Sequence, residues 1–471
     1  MVSFILYLVS LAFSEATLSY KLLILVRDLL ILGLVSQFFN YVRKNSLLVL
    51  VAAIVVYGLI QFVGFNMLFD TFPQYAPSTS QLDDEFEFLV ETEDGEIPKA
   101  YQRLIRQFNL NVRPAFDPVD ADASRLDEFF AIGIPDVSED RTQEIYRKLQ
   151  SVDGTEHIEF NEVITLDLRE GVAITPNVSA KNVNDPMVNQ QWGWEMVQGD
   201  RLHEMIKTLH PQAKKKSLIA IIDSGVDGMH PDLRDQFIAS NSQNDSDPLG
   251  HGTHCAGIAG AVSNNQIGIA SLVPNSSFVS ITSIKVMNNM GVGSQLATIN
   301  GMIKAVDMGA DVLSMSLGGL SSDSKQRAYE EAVKYAASKG SIVVVAAGNS
   351  NQNAKNYAPA NAKGVITVSA IGNDQKKAPF SNTINDLNYG IAAPGMKIMS
   401  TYPNQQYKAL DGTSMATPLV AGLVGLLKSI RPELNTAQIY EILFDSGKKH
   451  DDDRVAGRLI QAADALEKVL D

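Results

Sequence analysis

The chain has 471 residues, of which 45% are hydrophobic, and its formal net charge is −14 at pH 7. It is therefore too long for one ordinary domain, and its acidic balance argues against nucleic acid as a partner. The single cysteine, Cys255, excludes an intramolecular disulfide. Because Cys255 lies in a run of small residues, we expect a buried and unreactive thiol.

Residues 1–70 are predicted to be a membrane region. Residues 47–69 carry no charged side chain, and as a helix they would span ~35 Å, which exceeds the ~30 Å hydrocarbon core of a bilayer. Residues 1–16 and 22–39 are also apolar, although two charged residues interrupt the second segment. The sequence therefore predicts two or three transmembrane helices.

Arg43 and Lys44 lie in the short loop just before residue 47. Loops rich in Lys and Arg stay on the cytoplasmic side of a membrane. Everything after residue 69 is thus expected outside the cytoplasm, on a chain held in the cell membrane.

Residues 71–81 read as a linker, because they hold two prolines, four Ser or Thr and no strong periodicity. Residues 82–168 follow as a middle domain. Extended patterns at 86–91, 112–116, 129–134 and 158–166 predict strands, and helical patterns at 99–110 and 139–149 predict helices. The order strand–helix–strand–strand–helix–strand predicts a ferredoxin-like α+β plan.

Residues 169–183 form a junction, and residues 184–471 alternate apolar strands with helical stretches. The predicted strands are 218–222, 277–284, 312–316, 342–346 and 365–370, and the predicted helices include 252–262, 295–308, 324–339, 414–430, 436–444 and 461–470. This alternation predicts an α/β fold with a mostly parallel sheet covered by helices on both faces. Ligands of such sheets bind beyond the carboxyl ends of the strands.

Three segments of this region carry residues suited to nucleophilic catalysis. Asp223 ends the apolar strand of IAIIDSG, His251 begins HGTHCAG, and Ser414 lies on the glycine turn of GTSMATP, ahead of a helical run. A serine hydroxyl needs a positioned base, and imidazole titrates near neutral pH. Asp223 would hold the imidazole in the useful tautomer and stabilise its charged form.

Each of these residues has a plainer interpretation when taken alone. Asp223 fits a capping residue in a strand-to-loop turn. The second histidine of its segment, His254, fits a hydrogen-bonded core residue better than a catalyst. A fourth element weighs against coincidence: the buried strand of SIVVVAAGN runs into a small turn that presents Asn349, whose amide suits a donor to a developing oxyanion. Asn349 alone would fit an ordinary turn.

Over about residues 184–471, the chain resembles the subtilisin-like serine proteases, or subtilases. The resemblance rests on these four segments in this order and on the motifs SMSLGG, FSN and IAAPG. It implies that Asp223, His251 and Ser414 form a catalytic triad and that Asn349 completes the oxyanion hole. It also implies two backbone segments that hold an extended substrate between them as an added strand, and a specificity pocket. The residues so implied are Gly291, Val292, Gly293, Ser316, Leu317 and Gly318 for the segments, and Ala347 and Gly348 for the pocket.

The position of the middle domain resembles that of the inhibitory, folding-assisting propeptides of this family. An independent adaptor domain is the alternative. Family propeptides are usually cut off by their own protease, so we expect autoprocessing between residues 166 and 184, although the pieces could also stay bound or the junction stay intact.

The resemblance implies no cofactor for the chemistry and a structural calcium ion. Residues 264–269 resemble the family's calcium loop, and Asp185, Asp232 and Asn265 match ligand positions. Carboxylate and amide oxygens suit a hard cation. The alternative is three ordinary turn residues.

The sequence thus predicts a membrane-anchored serine endopeptidase that forms an acyl-enzyme and cuts polypeptides. Its expected partners are the polypeptide substrate, the lipid bilayer and its own propeptide-like domain. The alternative is a membrane-bound peptide-binding or regulatory protein that retains the subtilase fold.

Overall fold

The structure is a computed structural model, and it describes residues 86–135, 138–167, 169–171, 182–321 and 326–470. The described residues all belong to one compact unit, Gln81–Asp471. The predicted membrane helices, the linker 71–81, the first residues of the middle domain and residues 172–181 of the junction lie outside the described residues.

The middle domain contains a four-stranded sheet in the order β2-β3-β1-β4, in which every neighbouring pair is antiparallel. In chain order its elements are β1 (Phe88–Thr92), α1 (Tyr101–Phe108), β2 (Asn111–Pro114), β3 (Phe129–Gly133), α2 (Glu139–Gln150) and β4 (Thr155–Phe160). This is the order of elements that the sequence predicts. α1 is shorter than predicted because Asn109 ends it in the left-handed conformation, with φ 54°.

The two faces of this sheet are both buried. Phe88 and Val90 pack in a cluster with Tyr101 of α1 and Ile145 of α2. Leu89, on the opposite face of β1, belongs instead to a core that it shares with helices of the following region. Side chains of a strand alternate between its faces, so the sheet lies between its own helices and the rest of the protein.

The second region is built on a six-stranded parallel sheet in the order β15-β14-β12-β10-β7-β8. Its strands are β7 (Ser217–Asp223), β8 (Val279–Lys285), β10 (Val312–Met315), β12 (Ile342–Ala346), β14 (Ile366–Ile371) and β15 (Gly390–Pro394). The predicted α/β fold with a mostly parallel sheet is confirmed. The sequence analysis did not predict β15, whose short run of Gly, Ala and Pro carries little strand signal.

Helices cover both faces of the sheet, as predicted. They are α3 (Gly193–Met196), α4 (Gly199–Leu209), α5 (His251–Gly260), α6 (Gln295–Asp307), α7 (Arg327–Ser338), α8 (Thr413–Ile430), α9 (Thr436–Ser446), α10 (Asp453–Ala456) and α11 (Ala462–Leu470). Ile219 and Ile221 of β7 face the core that holds α5 and α8. Ala220 and Ile222 face the core that holds α6 and α7.

The shorter strands form small sheets that are separate from the six-stranded sheet. They are β5 (Val163–Thr165), β6 (Arg169–Glu170), β9 (Val292–Ser294), β11 (Gly319–Leu320), β13 (Tyr357–Ala358), β16 (Ile398–Tyr402) and β17 (Gln406–Asp411). β5 pairs with β9, β11 with β13, and β6 joins β17 and β16 in a three-stranded sheet.

The predicted single strand 158–166 is wrong, because the structure has two strands there in different sheets. Asn161 lies between them. Its backbone N–H donates to Glu87 O at 2.9 Å, and its side-chain oxygen accepts from the backbone N–H of Leu296 at 2.9 Å. These bonds tie the turn to both regions, so β4 ends in the first sheet and β5 continues in the second region.

Within the described ranges, one helix has the length and apolar composition of a membrane span, and it is Thr413–Ile430. Of that stretch, 94% is buried inside the protein, as expected for a core helix.

Candidate active site

Asp223 and His251 form a buried pair at the carboxyl end of the parallel sheet. Asp223 is the last residue of β7, and His251 is the first residue of α5. His251 Nδ1 lies 2.8 Å from Asp223 Oδ1 and 2.9 Å from Oδ2, and both residues are at most 1% exposed. Gly252 permits this approach, because a Cβ there would lie 2.0 Å from the backbone oxygen of Gly225.

The contact with Asp223 favours the protonated, charged form of His251. Burial is the largest single influence and lowers the pKa of His251, but the charge and hydrogen bond of Asp223, together with the neighbouring Cys255, outweigh it and raise the pKa well above its usual value. His251 Nε2 is buried and has no hydrogen-bond partner among the described residues. The ring therefore has one nitrogen held by a carboxylate and a second nitrogen open to another group.

Ser414 is the second residue of α8 and is 4% exposed. Its hydroxyl donates to the backbone oxygen of Ser316 at 3.2 Å, and the Ser316 hydroxyl donates to the backbone oxygen of Ser414 at 2.8 Å. Pro418 leaves this Ser414 oxygen free, because proline has no N–H to donate to the carbonyl four residues before it.

Cys255 links the histidine and serine elements. Its sulfur lies 3.9 Å from His251 Nδ1 and donates to the backbone oxygen of Ser414 at 3.5 Å. Burial raises the pKa of the Cys255 thiol, so the thiol is neutral at neutral pH. The Asp–His pair and the serine are thus neighbours across the contact of α5 with α8.

His254 is fully buried and has a different environment. Its Nε2 lies 2.9 Å from the backbone oxygen of Lys408. Burial lowers the pKa of His254 to about 3. A neutral ring bonded to the backbone is the arrangement of a core histidine, which is the interpretation favoured from the sequence.

Asn349 follows β12 and reaches the start of α8. Its side-chain oxygen accepts from the backbone N–H and from the hydroxyl of Thr413, both at 2.9 Å. These bonds turn the amide nitrogen towards the glycine turn, since a Cβ on Gly412 would lie 3.5 Å from Asn349 Nδ2. Ala347 is fully buried, and the Gly348 N–H donates to Thr413 Oγ1 at 3.1 Å.

A further buried carboxylate, Asp247, was missed in the sequence analysis. It is 4% exposed and accepts four hydrogen bonds, from Ser224 Oγ, Gly250 N, Thr253 N and Thr253 Oγ1. Burial raises its pKa. These bonds fix both the residue after Asp223 and the first turn of the His251 helix. The sequence signal that could have identified Asp247 is an acidic residue four positions before His251.

The predicted peptide cleft is the groove between residues 291–294 and 316–319. The chain's own β5 lies in it: Val163, Ile164 and Thr165 pair antiparallel with Ser294, Gly293 and Val292, respectively. On the same side, the N–H of Leu166 donates to Gly291 O at 2.8 Å. On the other side, Thr165 forms an antiparallel bridge with Gly318. An extended segment of the chain itself therefore lies between the two backbone segments that were predicted to hold substrate.

The predicted metal residues are also brought together. Asp185 accepts from the backbone N–H of Asn264 and Asn265, and Asp232 accepts from the Asn265 amide at 2.8 Å, from Ile269 N and from the Tyr407 hydroxyl. Burial raises the pKa of Asp185, and it raises that of Asp232 to about 6. All of these donors are uncharged, so a cation at this place would balance two buried carboxylates.

The chain is similar to several known proteins. The model of the subtilase family matches residues 214–459. Thermitase of Thermoactinomyces vulgaris is 42% identical over 252 residues, which cover 52% of this chain and 85% of thermitase. Subtilisin DY of Bacillus licheniformis is 40% identical over 229 residues, which cover 47% and 80% of the two chains. A solved protease of Pseudoalteromonas arctica PAMC 21717 is 27% identical with a TM-score of 0.54, and the match covers 61% of this chain and 100% of that one.

Proposed function

Because this chain belongs to the subtilase family and is a serine endopeptidase of the subtilisin type, we propose that Asp223, His251 and Ser414 carry its chemistry through an acyl-enzyme. The observation that carries this assignment is the buried contact of His251 Nδ1 with Asp223, beside the start of the helix that bears Ser414. A neutral imidazole held in this way presents Nε2 as a base.

The reaction begins when the Ser414 hydroxyl turns from Ser316 O to His251 Nε2. His251 takes the hydroxyl proton as the serine oxygen attacks the substrate carbonyl carbon, and Asp223 stabilises the imidazolium. The carbonyl oxygen becomes an oxyanion that accepts from Asn349 Nδ2 and from the backbone N–H of Ser414, which a helix start leaves unpaired. His251 then protonates the leaving amine, and water hydrolyses the ester by the same route.

Digestion of an unstructured polypeptide such as casein tests this proposal. The wild-type protein should release peptides, and the Ser414→Ala and His251→Ala variants should not. A folded wild-type protein that binds casein without cutting it would favour the alternative, a peptide-binding or regulatory protein with this fold.

We propose that the middle domain is the enzyme's propeptide. Three contacts support this: β5 fills the peptide cleft, the two regions share one buried core, and Glu159 accepts from the first backbone N–H groups of α7. A carboxylate stabilises a helix when it lies at the helix N-terminus, so the middle domain also stabilises α7.

Autoprocessing in the junction between residues 166 and 184 follows from this assignment. A blot of the wild type beside Ser414→Ala tests it, because the variant should run at full length while the wild type is cut. Two full-length bands would contradict the proposal.

We further propose that the apolar segments within residues 1–70 anchor the chain in the cell membrane, with the catalytic domain on the extracytoplasmic side. The charge-free run 47–69 and the preceding Arg43 and Lys44 support this. The Ser414→Ala chain, which should stay uncut, should remain with membranes after washing at high pH, and deletion of residues 1–70 from it should release it. Release of the full chain by the wash would rule the anchor out.

We also propose a structural calcium ion that the carboxylates of Asp185 and Asp232 and the side-chain oxygen of Asn265 would hold. The ion would neutralise the buried charge and fasten the 264–269 loop to the segment around residue 185. It has no part in the hydrolytic steps.

A further inference from the structure

The motif FSN, at residues 380–382, ends in an asparagine that lies against the turn of the oxyanion donor. Asn382 is fully buried. Its side-chain oxygen accepts from the backbone N–H of Ser350 at 3.1 Å and of Gln352 at 2.9 Å. Both donors follow Asn349 in the chain, so Asn382 fixes the backbone just after the oxyanion donor.

Asn382 also holds the two residues before Asn349. Its Nδ2 donates to Ala347 O at 2.8 Å, and its backbone N–H donates to Gly348 O at 2.9 Å. A Cβ on Gly348 would lie 2.5 Å from Asn382 Nδ2, so only glycine leaves room for this contact. One buried side chain thus fixes the turn on both sides of Asn349.

The other two residues of the motif hold Asn382 itself in place. Ser381 is fully buried, and its hydroxyl accepts from Ala370 N of β14 at 3.0 Å and donates to Asn382 O at 3.1 Å. Phe380 O accepts from the backbone N–H of Asn351 at 2.7 Å. The motif and the turn therefore form one hydrogen-bonded unit that is anchored in the parallel sheet.

The position of this turn decides where the amide nitrogen of Asn349 lies. Thr413 holds only the side-chain oxygen of Asn349, whereas the backbone from which the side chain extends is placed by Asn382. A donor stabilises an oxyanion when it lies about 3 Å from the site of the developing charge. A displacement of about 1 Å is enough to slow a reaction strongly.

We propose, on the basis of the proposed function, that Asn382 is a positioning residue for the reaction and acts through Asn349. It holds the turn so that the Asn349 amide meets the oxyanion together with the backbone N–H of Ser414. Because its side chain is fully buried, Asn382 does this without touching the substrate. Its loss should therefore lower kcat and leave KM nearly unchanged.

A double-mutant cycle on the full-length chain, with a chromogenic peptide substrate, tests this proposal. Asn382→Ala should lower kcat about tenfold in the wild type and change KM less than about twofold. In the Asn349→Ala background no amide is left to misplace, so the same substitution should change kcat less than about twofold. An equal factor in both backgrounds, or an unchanged kcat in the wild-type background, would overturn the inference.

Asn435→Ala is the control for a loss of stability alone. Asn435 caps α9 by accepting from Gln438 N at 3.0 Å, so this variant should have a lower melting temperature and the kcat of the wild type. If Asn382→Ala does not fold, Asn382→Ser takes its place in the cycle, and the same dependence on Asn349 is expected.

These outcomes are separable from a failure of the proposed function. If the wild type hydrolyses neither casein nor the peptide, the proposed function fails and this inference falls with it. If the wild type is active and Asn349→Ala lowers kcat, but Asn382→Ala has the same effect in both backgrounds, only this inference fails.

Discussion

Ser316 and Ser414 exchange two hydrogen bonds, each hydroxyl donating to the other residue's backbone oxygen, at 2.8 Å and 3.2 Å. The exchange depends on Pro418, which leaves the Ser414 carbonyl without a partner inside its helix. It holds the Ser414 hydroxyl on a neutral acceptor, while the buried His251 Nε2 has no partner among the described side chains. In the proposed mechanism, a rotation of the serine side chain is therefore the first step.

The pH dependence of kcat/KM should depend on the negative charge of Asp223. Since the base must be neutral and its pKa is raised, kcat/KM should climb with pH through a midpoint above the usual value of ~6.5 for histidine. Asp223→Asn should move that midpoint to lower pH and cut kcat about 10⁴-fold. Peptide hydrolysis measured from pH 5 to 10 checks this, and an unmoved midpoint in the variant would contradict it.

Asn349→Ala should lower kcat about 10²- to 10³-fold with little change in KM, because one oxyanion donor is lost. Since Asn349 also anchors Thr413, the melting temperature of the variant should be measured beside its kinetics. A rise in KM with kcat unchanged would assign Asn349 to substrate binding instead.

Asp247→Asn should lower kcat about 10- to 100-fold while leaving KM close to that of the wild type. An amide cannot accept all four donors that Asp247 satisfies, so the helix start that carries His251 shifts, and misplaced catalytic groups slow the reaction. Asp245→Asn, two residues away at a partly exposed position, is the matched control. If both variants behave like the wild type, Asp247 does not position the base.

Removal of calcium should lower the melting temperature by about 5 °C or more, since a ligand that binds only the folded state stabilises it. Differential scanning calorimetry with and without a chelator measures this. Asp232→Asn should abolish the chelator effect, whereas Asp235→Asn, at an exposed acid, should preserve it. Identical melting curves for the wild type would argue against the site.

The sequence predicts the α/β fold and the candidate site because both depend on local signals. Asp223 and Asn349 follow apolar strands, and parallel strands bring their carboxyl ends to one edge of a sheet. The path of residues 163–166 depends on pairing with a segment more than a hundred residues away, which no local pattern encodes. Asp247 was missed for a similar reason, since its four donors are assembled only by the fold.

The helix of Ser414 illustrates the same limit on a smaller scale. The predicted helix 414–430 already includes Pro418, and α8 begins one residue earlier, at Thr413. The carbonyl that the proline leaves free is satisfied by Ser316 and Cys255. The sequence alone does not reveal these partners, because they come from a different strand and a different helix.

Treatment of the folded protein with a fluorophosphonate, followed by mass spectrometry, tests whether Ser414 is a nucleophile activated by His251. We expect one adduct, located on Ser414, which is absent from Ser414→Ala and forms far more slowly in His251→Ala. A folded wild-type protein that gains no adduct, or an adduct that forms equally fast without His251, would contradict it.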